Sequence, residues 1–169
     1  MSKVELLREL YEYNEWANGV ILEAAAAITE EELGSRQTAS HESIQGLLAH
    51  TLATQVFWLT RWKSEPFTGF PQVQEGRALE SLRESYATTD ADLREFVGSL
   101  ADEEMQRSTA MPEWVERMKG ADLPLWQVMM QILQHGMHHR AEIQVALTAL
   151  GHPVRDLDYI LWEIDRRRR

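Results

Sequence analysis

The chain has 169 residues, 44% of them hydrophobic and 26% charged, which is enough for one domain with a real core and too apolar for disorder. A net charge of −10 excludes a nucleic-acid backbone or an anionic membrane surface as the main partner. The absence of cysteine excludes disulfides, thiolate ligands and a cysteine nucleophile, and fits a cytoplasmic protein.

Helical spacing runs through most of the sequence, and no stretch shows the alternation of a strand. The N-terminal MSKVELLREL is amphipathic and charged, unlike a signal peptide, and opens a helix predicted from Lys3 to Ile28. Its buried side carries Leu7, Leu10, Asn14, Ala17, Ile21, Ala24 and Ile28. The apolar run GVILEAAAAI within it is interrupted by Glu23 and is too short to span a bilayer. Thr29 and Glu32 form a capping-box pattern for a short helical turn. A second long helix is predicted to start with Ser40 as its N-cap and to carry Ile44, Leu47, Leu48, Thr51, Leu52, Trp58, Leu59 and Trp62. SEPFTGFPQVQEG, with two prolines and two glycines, ends it.

A third helix is expected from Arg77 to Leu100, on Leu79, Leu82, Tyr86, Leu93, Phe96 and Leu100. An irregular connection, 101–123, leads to a fourth helix from Leu125 to Leu150, stopped by Gly151 and Pro153. A short fifth helix covers Asp156 to the end, where Arg166 to Arg169 place favourable charge at a helix C-terminus. ITEEEL and LADEEM echo each other as similar loop chemistry, not as a repeat. The expectation is an all-α, four-helix bundle with a short C-terminal helix, in a single domain over residues 1–169.

QILQHGMHHRAEI, in the fourth helix, holds three of the six histidines. Residues four apart lie about 40° from each other around a helix, and neighbours about 100°. His139 therefore falls inside the apolar stripe drawn by Leu125, Val128, Met129, Ile132, Gly136, Ile143 and Leu147. His135 falls on its edge, and His138 points away. Two imidazoles at i and i+4 can reach one divalent ion, although the same spacing also suits a packed, hydrogen-bonded pair. His50, near the edge of the apolar side of the second helix, is the natural third ligand. Three neutral imidazoles leave positions open for water or substrate, as catalytic sites do. Asn14, a poor helix former on a buried face, needs a polar partner, most simply in another helix. His41 and His152, at helix ends, are expected to be exposed.

YNEWAN at Tyr13 to Asn18, SIQGLLAH at Ser43 to His50, HGMHHRAEI at His135 to Ile143 and ALTALGHPVRDLDYI at Ala146 to Ile160 stand in the order of a known pattern. In these stretches the chain resembles the DinB-like superfamily of small metal-binding helix bundles, which includes metal-dependent hydrolases and thiol-dependent S-transferases. The resemblance implies an up-down-down-up bundle, often a homodimer, with a three-histidine site that maps onto His50, His135 and His139. Arg140 matches the arginine that follows the last ligand. Members usually continue HRGQ, whereas this chain has Ala141 and Glu142, which puts any role of those two positions in question.

A divalent ion on three imidazoles would be a Lewis acid able to activate water or to hold a thiolate. A small-molecule substrate is expected, with a low-molecular-weight thiol as cosubstrate in the transferase case and zinc or nickel as the ion. No general base stands out, and the expected cavity wall draws on Trp16, Phe57, Trp58 or Trp126. A metal-binding or stress-response module without turnover is the alternative.

Overall fold

The computed structural model describes residues 1–35, 38–72, 74 and 76–168. Val73 and Glu75 of the predicted break and Arg169 of the arginine cluster lie outside them, as do Arg36 and Gln37. Among the described residues there are six α-helices: α1 (Lys3–Ala25), α2 (Glu30–Gly34), α3 (Ile44–Trp62), α4 (Ala78–Ser99), α5 (Leu125–Ala149) and α6 (Tyr159–Arg167). None is long and apolar enough to cross a membrane.

The caps show how the sequence sets these boundaries. Thr29 and Glu32 make the predicted capping box, and Ser2 and Glu5 make another at the head of α1. In the 3-10 turn Asp102–Gln106, Glu104 likewise reaches back to the Ala101 N–H, so the two echoing acidic segments do share loop chemistry. The N-cap of α3 is Ser43 and not Ser40: the Ser43 hydroxyl accepts from the Gly46 N–H at 3.0 Å. Ser40 instead bonds Glu142 of α5, through both its N–H and its hydroxyl. α1 stops three residues before the predicted Ile28, and α6 begins three after Asp156. The connection between α4 and α5 also holds a two-stranded antiparallel sheet, β1 (Ser108–Ala110) with β2 (Asp122–Pro124), where no strand was expected. Three residues per strand are too few to print an alternation in the sequence.

Side-chain pairs fix the helix directions. Arg8 reaches the carbonyls of Val97, Gly98 and Leu100 while Asn18 reaches Asp90, so α1 and α4 are antiparallel. Tyr11 meets Met129 and Asn14 meets Arg140, so α1 and α5 are parallel. Tyr86 meets Leu48 and Phe96 meets Trp62, so α3 and α4 are parallel too. The result is the up-down-down-up order, in which α1 and α3 each pack against both α4 and α5. The short helix α6 is fastened to α1: Tyr159 bonds Glu9, and Arg166 lies 3.4 Å from Glu9 and 3.8 Å from Glu12.

The interior is two apolar clusters with a polar belt between them. One gathers Leu7, Tyr11, Trp58, Trp62, Leu93, Val97 and Met129. The other gathers Ile21, Ile44, Leu48, Leu82, Tyr86, Ile143 and Leu147. Between them Asn14 and Asn18 on α1, Gln55 on α3, Asp90 on α4, and His139 and Arg140 on α5 are all buried. Buried polar groups are costly unless paired, so a belt of six across four helices marks the level at which chemistry is to be sought.

Candidate metal centre

The three predicted ligands come together at that level. α3 and α5 run antiparallel, so His50 faces His135 and His139 across the groove between them. Ring centroids stand 5.0 Å apart for His50 and His135, 5.0 Å for His50 and His139, and 4.4 Å for His135 and His139. One nitrogen from each lies within 4.8 Å of the others. The Nε2 atoms of His50 and His135 approach to 3.1 Å. Two nitrogens bound to one ion at about 2.1 Å are themselves roughly 3–3.4 Å apart, so the spacing suits a shared cation.

Two further observations test the fit. His139 is only 5% exposed, yet its Nδ1 has no hydrogen-bond partner, which is a cost unless something else engages the ring. All three imidazoles are also held below the ordinary histidine pKa. Burial lowers His135 to about 4, with the neighbouring histidines adding to it. Burial first, then adjacent histidines, lowers His50 and His139 as well. Neutral rings are what a metal requires. The donor set fits a divalent ion.

Around this trio the structure separates the other candidates. His138 is exposed, with its ring 5.0 Å from that of His139. His41, expected to be exposed, is half-buried, and its ring lies 4.4 Å from His50 and 5.4 Å from His139. It sits in the loop before α3, where no periodicity signals which way a side chain turns. His152 is likewise half-buried rather than exposed. Of the four aromatics considered for the cavity wall, Trp58 belongs to the core, Trp126 lies beside Lys3 and Trp16 beside Arg155. Phe57 is half-buried and packs against the apolar cluster that holds Trp58. It is one turn beyond Thr54, whose hydroxyl is 3.3 Å from His135 Nε2. Phe57 meets Phe67 and Trp114, and Phe67 meets Phe70, and the last three are exposed.

Arg140 is the residue whose depth the sequence hid. It is 4% exposed, and its Nη1 donates to Asn14 Oδ1 at 2.7 Å and to Asn18 Oδ1 at 2.8 Å. Asn14 donates onward to Gln55 at 3.0 Å, and Asn18 to Asp90 at 3.1 Å. Asn14 thus makes interhelical bonds, as expected of a polar residue on a buried helix face. Burial raises the Asp90 carboxyl to about 7, against the opposing pull of Asn18 and Arg140. The side of α5 away from the histidines holds a cleft of about 580 Å³ lined by Leu10, Tyr13, Met137 and Tyr159, and no histidine borders it.

Gly136 makes room for this network. A Cβ there would stand 3.0 Å from Arg140 Nη1 and 3.3 Å from Asn14 Oδ1, two atoms already locked to each other. In an open helix Gly→Ala stabilises by about 1 kcal/mol, whereas overpacking costs about 1–3 kcal/mol. Gly136→Ala should therefore lower the melting temperature by about 2–4 °C. A rise in that temperature would show that the guanidinium is free to move.

No curated protein matches the chain. The family model described as DinB family matches residues 1–167, nearly the full length. With the bundle order and the histidine trio in view, the chain belongs to the DinB family.

Proposed function

We propose that this protein is a metal-dependent S-transferase acting with a low-molecular-weight thiol, its divalent ion held by His50, His135 and His139. The observation that carries the reading is the convergence of three imidazoles, held neutral by burial, from two helices, with Phe57 two turns beyond His50 on α3. A bound divalent ion would lower the pKa of a thiol and hold it as the thiolate nucleophile. The protein has no cysteine, so the thiol must come from solution. Phe57, Phe67, Phe70 and Trp114 offer faces for the apolar body of the second substrate.

A second reading, hydrolysis, rests on Glu142. Its Oε2 is 3.8 Å from His139 Nδ1, the nearest carboxylate contact of the trio among the described residues. That carboxylate already accepts three hydrogen bonds from the loop before α3, which leaves it poorly placed to take a proton from water. Transfer to a thiol needs no such base, since the thiolate is already the nucleophile.

The test uses protein purified without a polyhistidine tag and loaded with zinc or nickel. It is mixed with a panel of small thiols and aromatic electrophiles, and thiol consumption is followed with and without chelator. Chelator-sensitive loss of thiol is expected. Ester or amide cleavage without thiol would move the assignment to the hydrolase. Full metal loading with no turnover on any substrate would make the protein a metal-binding module.

A further inference from the structure

The cleft on the other side of α5 takes no part in the metal centre, and a buried cation forms part of its wall. Its volume of about 580 Å³ falls within the range of small-molecule sites. Leu10, Leu133, Met137 and Leu157 supply apolar surface, with Tyr13 and Tyr159 beside them. Arg140, only 4% exposed, borders the same space. The C-terminal segment on this side is tied down at two points. The Tyr13 hydroxyl donates to the Leu157 carbonyl, and the Tyr159 hydroxyl donates to Glu9.

The guanidinium is only half used by the protein. Nη1 spends both its protons on Asn14 and Asn18. Nε and Nη2 have no hydrogen-bond partner among the described residues, yet neither is sealed from solvent. No carboxylate pairs with Arg140 among the described residues. Asp90, the one acid of the buried belt, is reached only through Asn18. A buried cation without a directly bonded counter-charge is costly. The unused Nε–Nη2 edge is the kind that takes a carboxylate in two parallel N–H···O bonds. Asp156 and Asp158, exposed on the border of the cleft, limit the ligand further, because they repel a second negative charge.

We propose that this cleft is a second binding site, separate from the metal centre, for a monocarboxylate with an apolar body, such as a short fatty acid or an arylalkanoate, whose carboxylate pairs with Arg140. The apolar body lies against Leu133 and Met137, and the two tyrosines offer it ring faces. Arg140 keeps its bonds to Asn14 and Asn18, so the ligand completes the polar belt rather than displacing part of it. Inorganic phosphate brings more charge than the acidic border favours and no apolar body. The site does not depend on the three-histidine reading.

The experiment uses full-length, metal-free protein with chelator present, so that no carboxylate can bind through an ion. Hexanoate and 3-phenylpropionate are titrated by calorimetry, beside the amide of each, the dicarboxylate adipate, and inorganic phosphate. About one monocarboxylate per chain should bind. The amides should bind at least about tenfold more weakly, since they lose the charge-assisted pair, and adipate should bind more weakly than hexanoate. Phosphate should give no heat. Arg140→Met disturbs the belt, so the deciding variant is Met137→Glu, at an exposed position on the cleft wall. It should melt like the wild type and bind about tenfold or more weakly, because its carboxylate repels the ligand or takes its place on Arg140. His139→Ala should bind like the wild type. Equal affinity for acid and amide would overturn the proposal, as would an affinity that Met137→Glu leaves unmoved. Absence of binding by every monocarboxylate would also overturn it. If sedimentation then shows a dimer that Met137→Glu splits, the face belongs to a second copy of the chain.

Discussion

Protein purified without a tag should carry about one divalent ion per chain, and His139→Ala should lose it. His139 is the most buried of the three histidines, and its Nδ1 is one of four buried side-chain nitrogens without a hydrogen-bond partner among the described residues. Removing the ring leaves His50 and His135, and two imidazoles rarely hold an ion against a chelator. Binding to the folded state alone adds roughly 4 kcal/mol when free metal exceeds the dissociation constant a thousandfold. For a chain of this size that is a rise in melting temperature of roughly 8–16 °C. Wild-type protein should show that rise and lose it to chelator; His139→Ala should melt at one temperature in both conditions. The pH dependence has a definite sign. Protons compete for the same nitrogens, and each of the three rings is held below the ordinary value, His135 at about 4. The empty site therefore takes up protons at lower pH than three unperturbed histidines would, and metal should be retained to correspondingly lower pH. Metal content after dialysis between pH 7 and pH 4 checks this. Release beginning above pH 6.5, or metal retained by His139→Ala, would remove the centre from consideration.

Periodicity is why so much of this site can be read before folding. His135 and His139 lie on or beside an apolar stripe that repeats over six turns, so simple angular arithmetic assigns them a direction. His50 follows by the same reasoning in α3, and every apolar position predicted along that helix is buried. His41 has no such frame: a loop side chain turns where its hydrogen bonds send it, and here these depend on Glu142, about a hundred residues away. The same contact explains the misplaced N-cap. The Ser40 hydroxyl donates to the remote Glu142 carboxylate, while the Ser43 hydroxyl caps the helix. Arg140 was hidden for another reason. Arginine is rarely buried, so its neighbourhood to a ligand on the stripe gives little warning. Its partners Asn14, Asn18 and, through Asn18, Asp90 lie on other helices, and only Asn14 stood out as a polar residue on a buried face.

Arg140→Met should destabilise the fold by about 3 kcal/mol, seen as a melting temperature lower by roughly 6–12 °C. Methionine replaces most of the aliphatic stem, so the loss comes mainly from hydrogen bonding. Asn14 Oδ1 and Asn18 Oδ1 each lose a charged donor, and leaving a buried acceptor unpaired costs about 1–3 kcal/mol apiece. Asp90 limits the damage. Its carboxyl already sits near 7 because of burial, so without the cation it can remain protonated rather than stand as an unpaired charge. That produces a second signature. A carboxyl whose folded pKa is raised holds its proton while the unfolded chain has released it. Stability from this group therefore falls as pH rises from about 4 to the folded pKa, and is level above it. Arg140 pulls the Asp90 pKa down, so in Arg140→Met the decline should continue to higher pH than in the wild type. Asp90→Asn should remove the decline in both backgrounds. Denaturant melts between pH 6 and pH 9 measure this directly. Equal slopes in wild type and Arg140→Met would mean that the two charges do not feel each other across the belt.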